Sequence, residues 1–146
     1  MPTRTARTAW NGTLEQGSGQ VELSSSRVGT YEVSFPKRAA EDAGGTTSPE
    51  ELIAAAHSAC YAMQLSAYVA DAGGTPQALD VQADVSLGPD PAGGFRITGI
   101  KITVRGEVDG LDNDGFVKAA EAAKAGCPVS KALAAVDITL DAALES

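Results

Sequence analysis

The sequence predicts an α+β domain in which antiparallel sheets surround a long central helix, and three observations predict it. Short β-leaning segments come first, one long Ala-rich helical segment follows, and two alternating segments precede two short helices and a last strand. In order this reads βββ-α-ββ-αα-β, with strands and helices grouped as the α+β class groups them. The alternation of apolar and polar residues in mid-chain has the period of two that half-buried strands need. The 146 residues show no repeat, linker or low-complexity tract, so a single domain over residues 1–146 is expected.

The first strands are expected at residues 4–10, 19–24 and 30–35, separated by clusters of Gly, Asn and Ser. Pro36 closes the third, and residues 37–46, with Gly44-Gly45, read as a polar loop. Thr47 or Ser48 can cap a helix, Pro49 suits its first position, and Glu50 and Glu51 favour its positive N-terminal end. The helix then runs through Leu52, Ile53, Ala55, Ala56, Cys60, Met63 and Leu65 to near Gly73-Gly74, about 24 residues and about 36 Å. Few charges lie between Glu51 and Asp71, and a helix so weakly polar all round is covered by a core or by a partner. That is the first indication of a dimer.

Leu79, Val81, Ala83, Val85 and Leu87 face one side of the next strand. In residues 95–104 the phase slips by one, because Phe95 and Ile97 are followed by Ile100, Ile102 and Val104, which predicts a bulge at Gly99. Asp112 caps a second helix that runs to Lys124 and stops at Gly126. Pro128 opens a short third helix to about Ala135, and Val136 to Leu144 form the last strand.

Eleven basic residues against nineteen acidic ones give a net charge of −8, a field that repels phosphate backbones and argues against nucleic acid as a partner. No apolar run approaches the ~20 residues that span a bilayer, and the N-terminus lacks the apolar stretch of a signal peptide. The expectation is a cytoplasmic protein with no membrane partner. In a reducing cytosol two cysteines indicate a transient or catalytic disulfide rather than a structural one. The plainer alternative is two buried cysteines acting as small hydrophobes, and composition by itself favours it.

Cys60 and Cys127 can be redox partners only if the fold brings them together. Cys60 lies about ten residues inside its helix, where the terminal dipole has faded, so a depressed pKa needs a cation from elsewhere. His57, one turn back on the same face, and Lys37 and Arg38 in the preceding loop are the candidates, with an Arg preferred because it stays charged. Glu50 is the natural carboxylate to steer that Arg. Ten helical residues nonetheless separate Glu50 from Cys60 by about 15 Å along the axis and about 80° around it. Any contribution of Glu50 at Cys60 should therefore cross a subunit interface; the alternative is that Glu50 and Glu51 merely favour the helix dipole. Cys127, just before Pro128, lies where free amides stabilise a thiolate, so local electrostatics favour it as nucleophile. These considerations do not rank the two sulfurs. A zinc site would need three or four ligands from a chain with one His and two Cys, and His57 reads more readily as a hydrogen-bonded core residue than as a base.

The stretch Thr47-Ser48-Pro49-Glu50-Glu51-Leu52-Ile53-Ala54-Ala55-Ala56-His57-Ser58-Ala59-Cys60 resembles the reactive-cysteine helix of the OsmC/Ohr family. Ala123-Lys124-Ala125-Gly126-Cys127-Pro128-Val129-Ser130 is similar to that family's second cysteine motif. Ala9-Trp10-Asn11-Gly12, Ala83-Asp84-Val85-Ser86-Leu87 and Ile138-Thr139-Leu140-Asp141 also resemble its segments, and His57 favours the OsmC branch. The resemblance implies an OsmC-like fold and an intertwined homodimer with active sites at the interface. It implies a peroxidase that uses no cofactor, in which Cys60 attacks an organic hydroperoxide and Cys127 resolves the product as a disulfide. An external dithiol would reduce that disulfide. It implies, too, that Glu50 and an Arg activate the thiol; Arg38 is the matching residue, with Lys37 beside it. A redox-sensing or binding protein without turnover, and a dimer with inert thiols, are the competing readings.

Overall fold

A computed structural model describes residues 1–145. It contains ten elements: β1 (Arg7–Asn11), β2 (Ser18–Glu22), β3 (Thr30–Val33), α1 (Phe35–Arg38), α2 (Pro49–Asp71), β4 (Thr75–Pro89), β5 (Phe95–Asp109), α3 (Asn113–Gly126), α4 (Pro128–Ala132) and β6 (Ile138–Leu144). The chain gathers into two compact units that divide after Leu52, within the first turns of α2.

The N-terminal unit is built on an antiparallel sheet in the order β1-β2-β3. Gly19 pairs with Trp10 on one side and Val33 on the other, and a Cβ there would strike the Ala9 carbonyl. Val21 is the buried apolar side chain of this sheet, whereas β1 is exposed along its whole length. Residues 35–38, expected to end a strand and start a loop, form the one-turn helix α1 instead. Ser34 Oγ accepts the Lys37 amide at 3.3 Å, and Pro36 sits in the first turn, where its fixed φ suits a helix as well as a strand end. Of the two candidate caps of α2, Ser48 does the capping: its Oγ accepts the Glu51 amide at 3.1 Å. The Thr47 hydroxyl donates to the Glu51 carboxylate at 2.6 Å.

In the C-terminal unit, His57, Tyr61, Leu65 and Val69 recur every four residues and form one buried stripe along α2. The opposite face, with Ala55, Ala59, Met63 and Ala67, is exposed, and Met63 keeps 74% of its surface. A helix expected to be covered all round is thus covered on one side by its own chain. Gly73, at φ 93°, ends it in the left-handed turn that favours glycine.

The second sheet has the order β4-β5-β6, with Ile100, Ile102 and Val104 of β5 in the core. Ser86 pairs with Gly99 and Leu87 with Ile97, so Thr98 is the extra residue of a bulge, next to the predicted Gly99. Both strands of this hairpin run 15 residues, longer than their alternating centres indicated. β6 pairs parallel to β5, Ile100 opposite Ile138, which corrects the expectation of purely antiparallel sheets. The reason is topological: the chain leaves β5, crosses through α3 and α4, and a helical crossover returns a strand in the same direction. Asp112 caps α3 as expected, its Oδ1 accepting the Gly115 amide at 2.8 Å. Gly106 lets Phe116 lie against β5, since a Cβ there would meet the ring at 2.8 Å. No helix among the described residues is long and apolar enough to cross a membrane.

Candidate active site

Two elements of the C-terminal unit bring the thiols together. α2 carries Cys60 in mid-helix, while Cys127 ends α3 and starts α4, its own amide bonding the Ala123 carbonyl at 2.8 Å. Gly126, just before Cys127, leaves room for the Tyr68 hydroxyl of α2, which a Cβ there would displace. Cys127 Sγ lies 3.4 Å from Cys60 Sγ, with both thiols free. Their exposure differs: Cys127 is fully buried and Cys60 half-buried.

The electrostatics of the two sulfurs differ in the opposite sense. Burial pushes the Cys127 thiol up, but the Ser130 amide, Cys60, the Ser130 hydroxyl and the Val129 amide outweigh it and leave Cys127 below its ordinary value. The helix start at Pro128 supplies those amides, as free N–H groups at a helix N-terminus do. Burial also pushes Cys60 up, and there the Val129 amide does not overcome it; the neighbouring Cys127 adds to the rise. The accessible sulfur is therefore the less acidic one.

Around the pair, His57 Nε2 and Ser130 Oγ are 2.7 Å apart, and the Tyr61 hydroxyl donates to the Ala120 carbonyl at 2.9 Å. Burial lowers the pKa of His57, so the ring is neutral. This is the hydrogen-bonded core histidine that the sequence suggested. Ser130, by contrast, had no expected role of its own; its position three residues after Cys127 on a new helix was the available signal.

The other predicted residues meet in the N-terminal unit. Arg38 grips Glu50 with Nε at 2.9 Å and Nη2 at 2.8 Å from Oε1, and Nε reaches Oε2 at 3.3 Å. Glu50 is buried while the Arg38 side chain is 35% exposed. Arg38 is thus the cation that Glu50 holds, and the Lys37 amide is occupied with Ser34. Beside Arg38 lies an apolar cup of about 140 Å³ lined by Trp10, Leu14, Val33, Phe35 and Pro49. No periodic signal in the sequence marks this cup, because its walls come from two strands, a loop and two helix starts. The four predicted residues therefore form two pairs, Cys60 with Cys127 and Arg38 with Glu50.

The family described as OsmC-like protein matches residues 41–141. The chain is 43% identical over 137 residues to "Peroxiredoxin OsmC" of Escherichia coli (strain K12), covering 94% of this chain and 93% of that protein. Among solved structures it is similar to the organic hydroperoxide resistance protein OhrB of Bacillus subtilis, at 28% identity and a TM-score of 0.75 over 94% of this chain and 97% of that one. An organic hydroperoxide resistance protein of Elizabethkingia anophelis gives a TM-score of 0.79 at 25% identity, over 99% and 98% of the two chains.

Proposed function

This chain belongs to the OsmC family and is a peroxidase, and we propose that it reduces organic hydroperoxides, and hydrogen peroxide more weakly, through a Cys60 sulfenic acid and a Cys60–Cys127 disulfide. The observation that carries this reading is the 3.4 Å contact between the two sulfurs. Structural cysteines of a core have no need to touch, whereas a resolving thiol must.

Accessibility supports a division of roles. A peroxide can reach the half-buried Cys60 but not the fully buried Cys127, so Cys60 attacks although Cys127 is more acidic. The Cys60 thiolate attacks one peroxide oxygen, the O–O bond breaks, and the alkoxide leaves and is protonated to an alcohol. Cys127 then displaces hydroxide from the sulfenic sulfur, and an external dithiol reduces the disulfide. These steps require neither metal nor flavin, and a reducing compartment such as the cytoplasm would supply the dithiol.

Cys60 still needs a positive group, because its own surroundings push its pKa up. Arg38, aimed by Glu50, is the proposed source, and a guanidinium would also stabilise charge on the departing oxygen. Ten residues of α2 separate Glu50 from Cys60, which favours delivery of the Arg38–Glu50 pair by the partner copy of a homodimer. The exposed apolar face of α2 supports such an association. The apolar cup beside Arg38 suits the alkyl group of an organic hydroperoxide.

The test is steady-state consumption of cumene hydroperoxide and of hydrogen peroxide, each with dithiothreitol and with a monothiol. Faster turnover of the organic substrate with the dithiol is expected. Oxidation to a disulfide without turnover would leave a redox sensor instead.

A further inference from the structure

His57 and Ser130 take no part in the chemistry assigned above, yet both are buried, at 0% and 5% exposure, with Nε2 and Oγ 2.7 Å apart. Polar groups inside an apolar core cost desolvation unless their hydrogen-bonding capacity is used. The Ser130 hydroxyl is held by His57 on α2, and it stands on the first turn of α4, three residues after Cys127 at the cap of that helix. A hydroxyl has one hydrogen, so the direction of the bond to His57 decides whether that hydrogen is free for the nearby sulfur.

The histidine sets that direction. A neutral imidazole carries one hydrogen, and Nδ1 of His57 has no hydrogen-bond partner among the described residues. An orphaned buried N–H is rarer and costlier than an unused acceptor, so the hydrogen belongs on Nε2. Nε2–H then donates into Ser130 Oγ, which leaves the Ser130 hydrogen free to point at Cys127. The donors run one way, from ring to hydroxyl to sulfur.

We infer that His57 and Ser130 are positioning residues that hold Cys127 ready as a thiolate, both to close the disulfide and to accept the electron pair when it opens. This inference rests on the peroxidase reading and deepens it. In closing, the Cys127 thiolate supplies the electron pair of the new S–S bond. The S–O bond of the Cys60 sulfenic acid breaks, and hydroxide leaves, taking a proton from solvent to become water. In opening, a dithiol thiolate attacks the more accessible Cys60 sulfur, the S–S bond breaks, and its electron pair departs on Cys127, where the Ser130 hydroxyl receives it. Among the described residues the hydrogen bond of His57 is to Ser130, whose rotor it fixes.

The test compares Ser130→Ala, Ser130→Thr, His57→Leu and His57→Gln in the full chain. Rapid-quench trapping of the sulfenic acid measures its formation with cumene hydroperoxide, and mass spectrometry follows closure. A third arm needs no peroxide: opening by dithiothreitol of the disulfide formed with diamide. Ser130→Ala should slow closing and opening by about tenfold or more, the value of one hydrogen bond to a charged group, while sulfenate formation stays within about twofold. Ser130→Thr, which keeps the hydroxyl, should restore both rates. His57→Leu should behave like Ser130→Ala, and His57→Gln, which keeps a donor, should fall between. Unchanged rates in Ser130→Ala would overturn the inference. So would failure of Ser130→Thr to restore them, or equal slowing of all three steps, which would mean mere structural damage. If the native chain forms no sulfenate, the peroxidase reading fails, and the dithiothreitol arm still decides for or against the role of Ser130.

Discussion

The two compact units hold negative charge by different means. In the N-terminal unit a full guanidinium grips the buried Glu50 beside a sheet that buries little of its own surface. In the C-terminal unit no formal charge is used on Cys127: the Ser130 amide, the Cys60 thiol, the Ser130 hydroxyl and the Val129 amide draw its thiol below the ordinary value. The neutral arrangement reaches the inner sulfur and leaves the outer one, Cys60, above its ordinary value. The two sulfurs thus meet within one unit, while the guanidinium proposed to activate Cys60 belongs to the other.

The largest expected effect bears on that division directly. Cys60→Ser should reduce hydroperoxide consumption to background, while Cys127→Ser should react once and accumulate a sulfenic or over-oxidised Cys60, both visible by mass spectrometry. The reverse pattern would mean that acidity outweighs access. Next comes stability. Phe116→Ala in the C-terminal core should cost about 3–5 kcal/mol in urea unfolding, whereas Tyr31→Ala on the exposed N-terminal sheet should stay within about 0.5 kcal/mol. A large loss at Tyr31 would show that a partner surface covers that sheet, and sedimentation at twice the chain mass should accompany it.

Arg38→Ala should slow sulfenate formation by about 10²-fold, the usual loss for one charged transition-state stabiliser, and leave disulfide closure unchanged. Glu50→Gln should have a smaller effect in the same direction, because it loosens the guanidinium without removing it. The smallest effect concerns pH. Cys127 is drawn below its ordinary value, so the midpoint of closure against pH should lie lower than that of a free cysteine. Cys60 is pushed up in its own surroundings, so in Arg38→Ala the rate of sulfenate formation should keep rising above the ordinary thiol range. For the native protein its midpoint should lie lower, and stopped-flow rates across pH 6 to about 10 would measure both.

Much of the fold was legible because local chemistry dictates it. Asp112 and Ser48 cap helices, Gly73 and Gly126 end them, and alternation marks the centre of the β4–β5 hairpin. The direction of β6 was not legible, since a period of two describes a strand's faces and says nothing of its neighbour's direction. α1 was missed because Pro36 is compatible with either reading of the chain around it. At the site, charge chemistry alone joined Glu50 to an Arg, and the structure joins it to Arg38. The meeting of Cys60 and Cys127, 67 residues apart, depends on how α2 packs against the end of α3 and could not be read from spacing. Ser130 escaped notice because its hydroxyl gains meaning only from His57, which the fold brings to it across 73 residues.

The contact of 3.4 Å between the sulfurs carries one last consequence. A disulfide is about 2.05 Å long, so closure asks for a shift of little more than an ångström, shared between a helix and the short α4. In the proposed cycle so short a travel suits a pair that closes and opens again at every turnover.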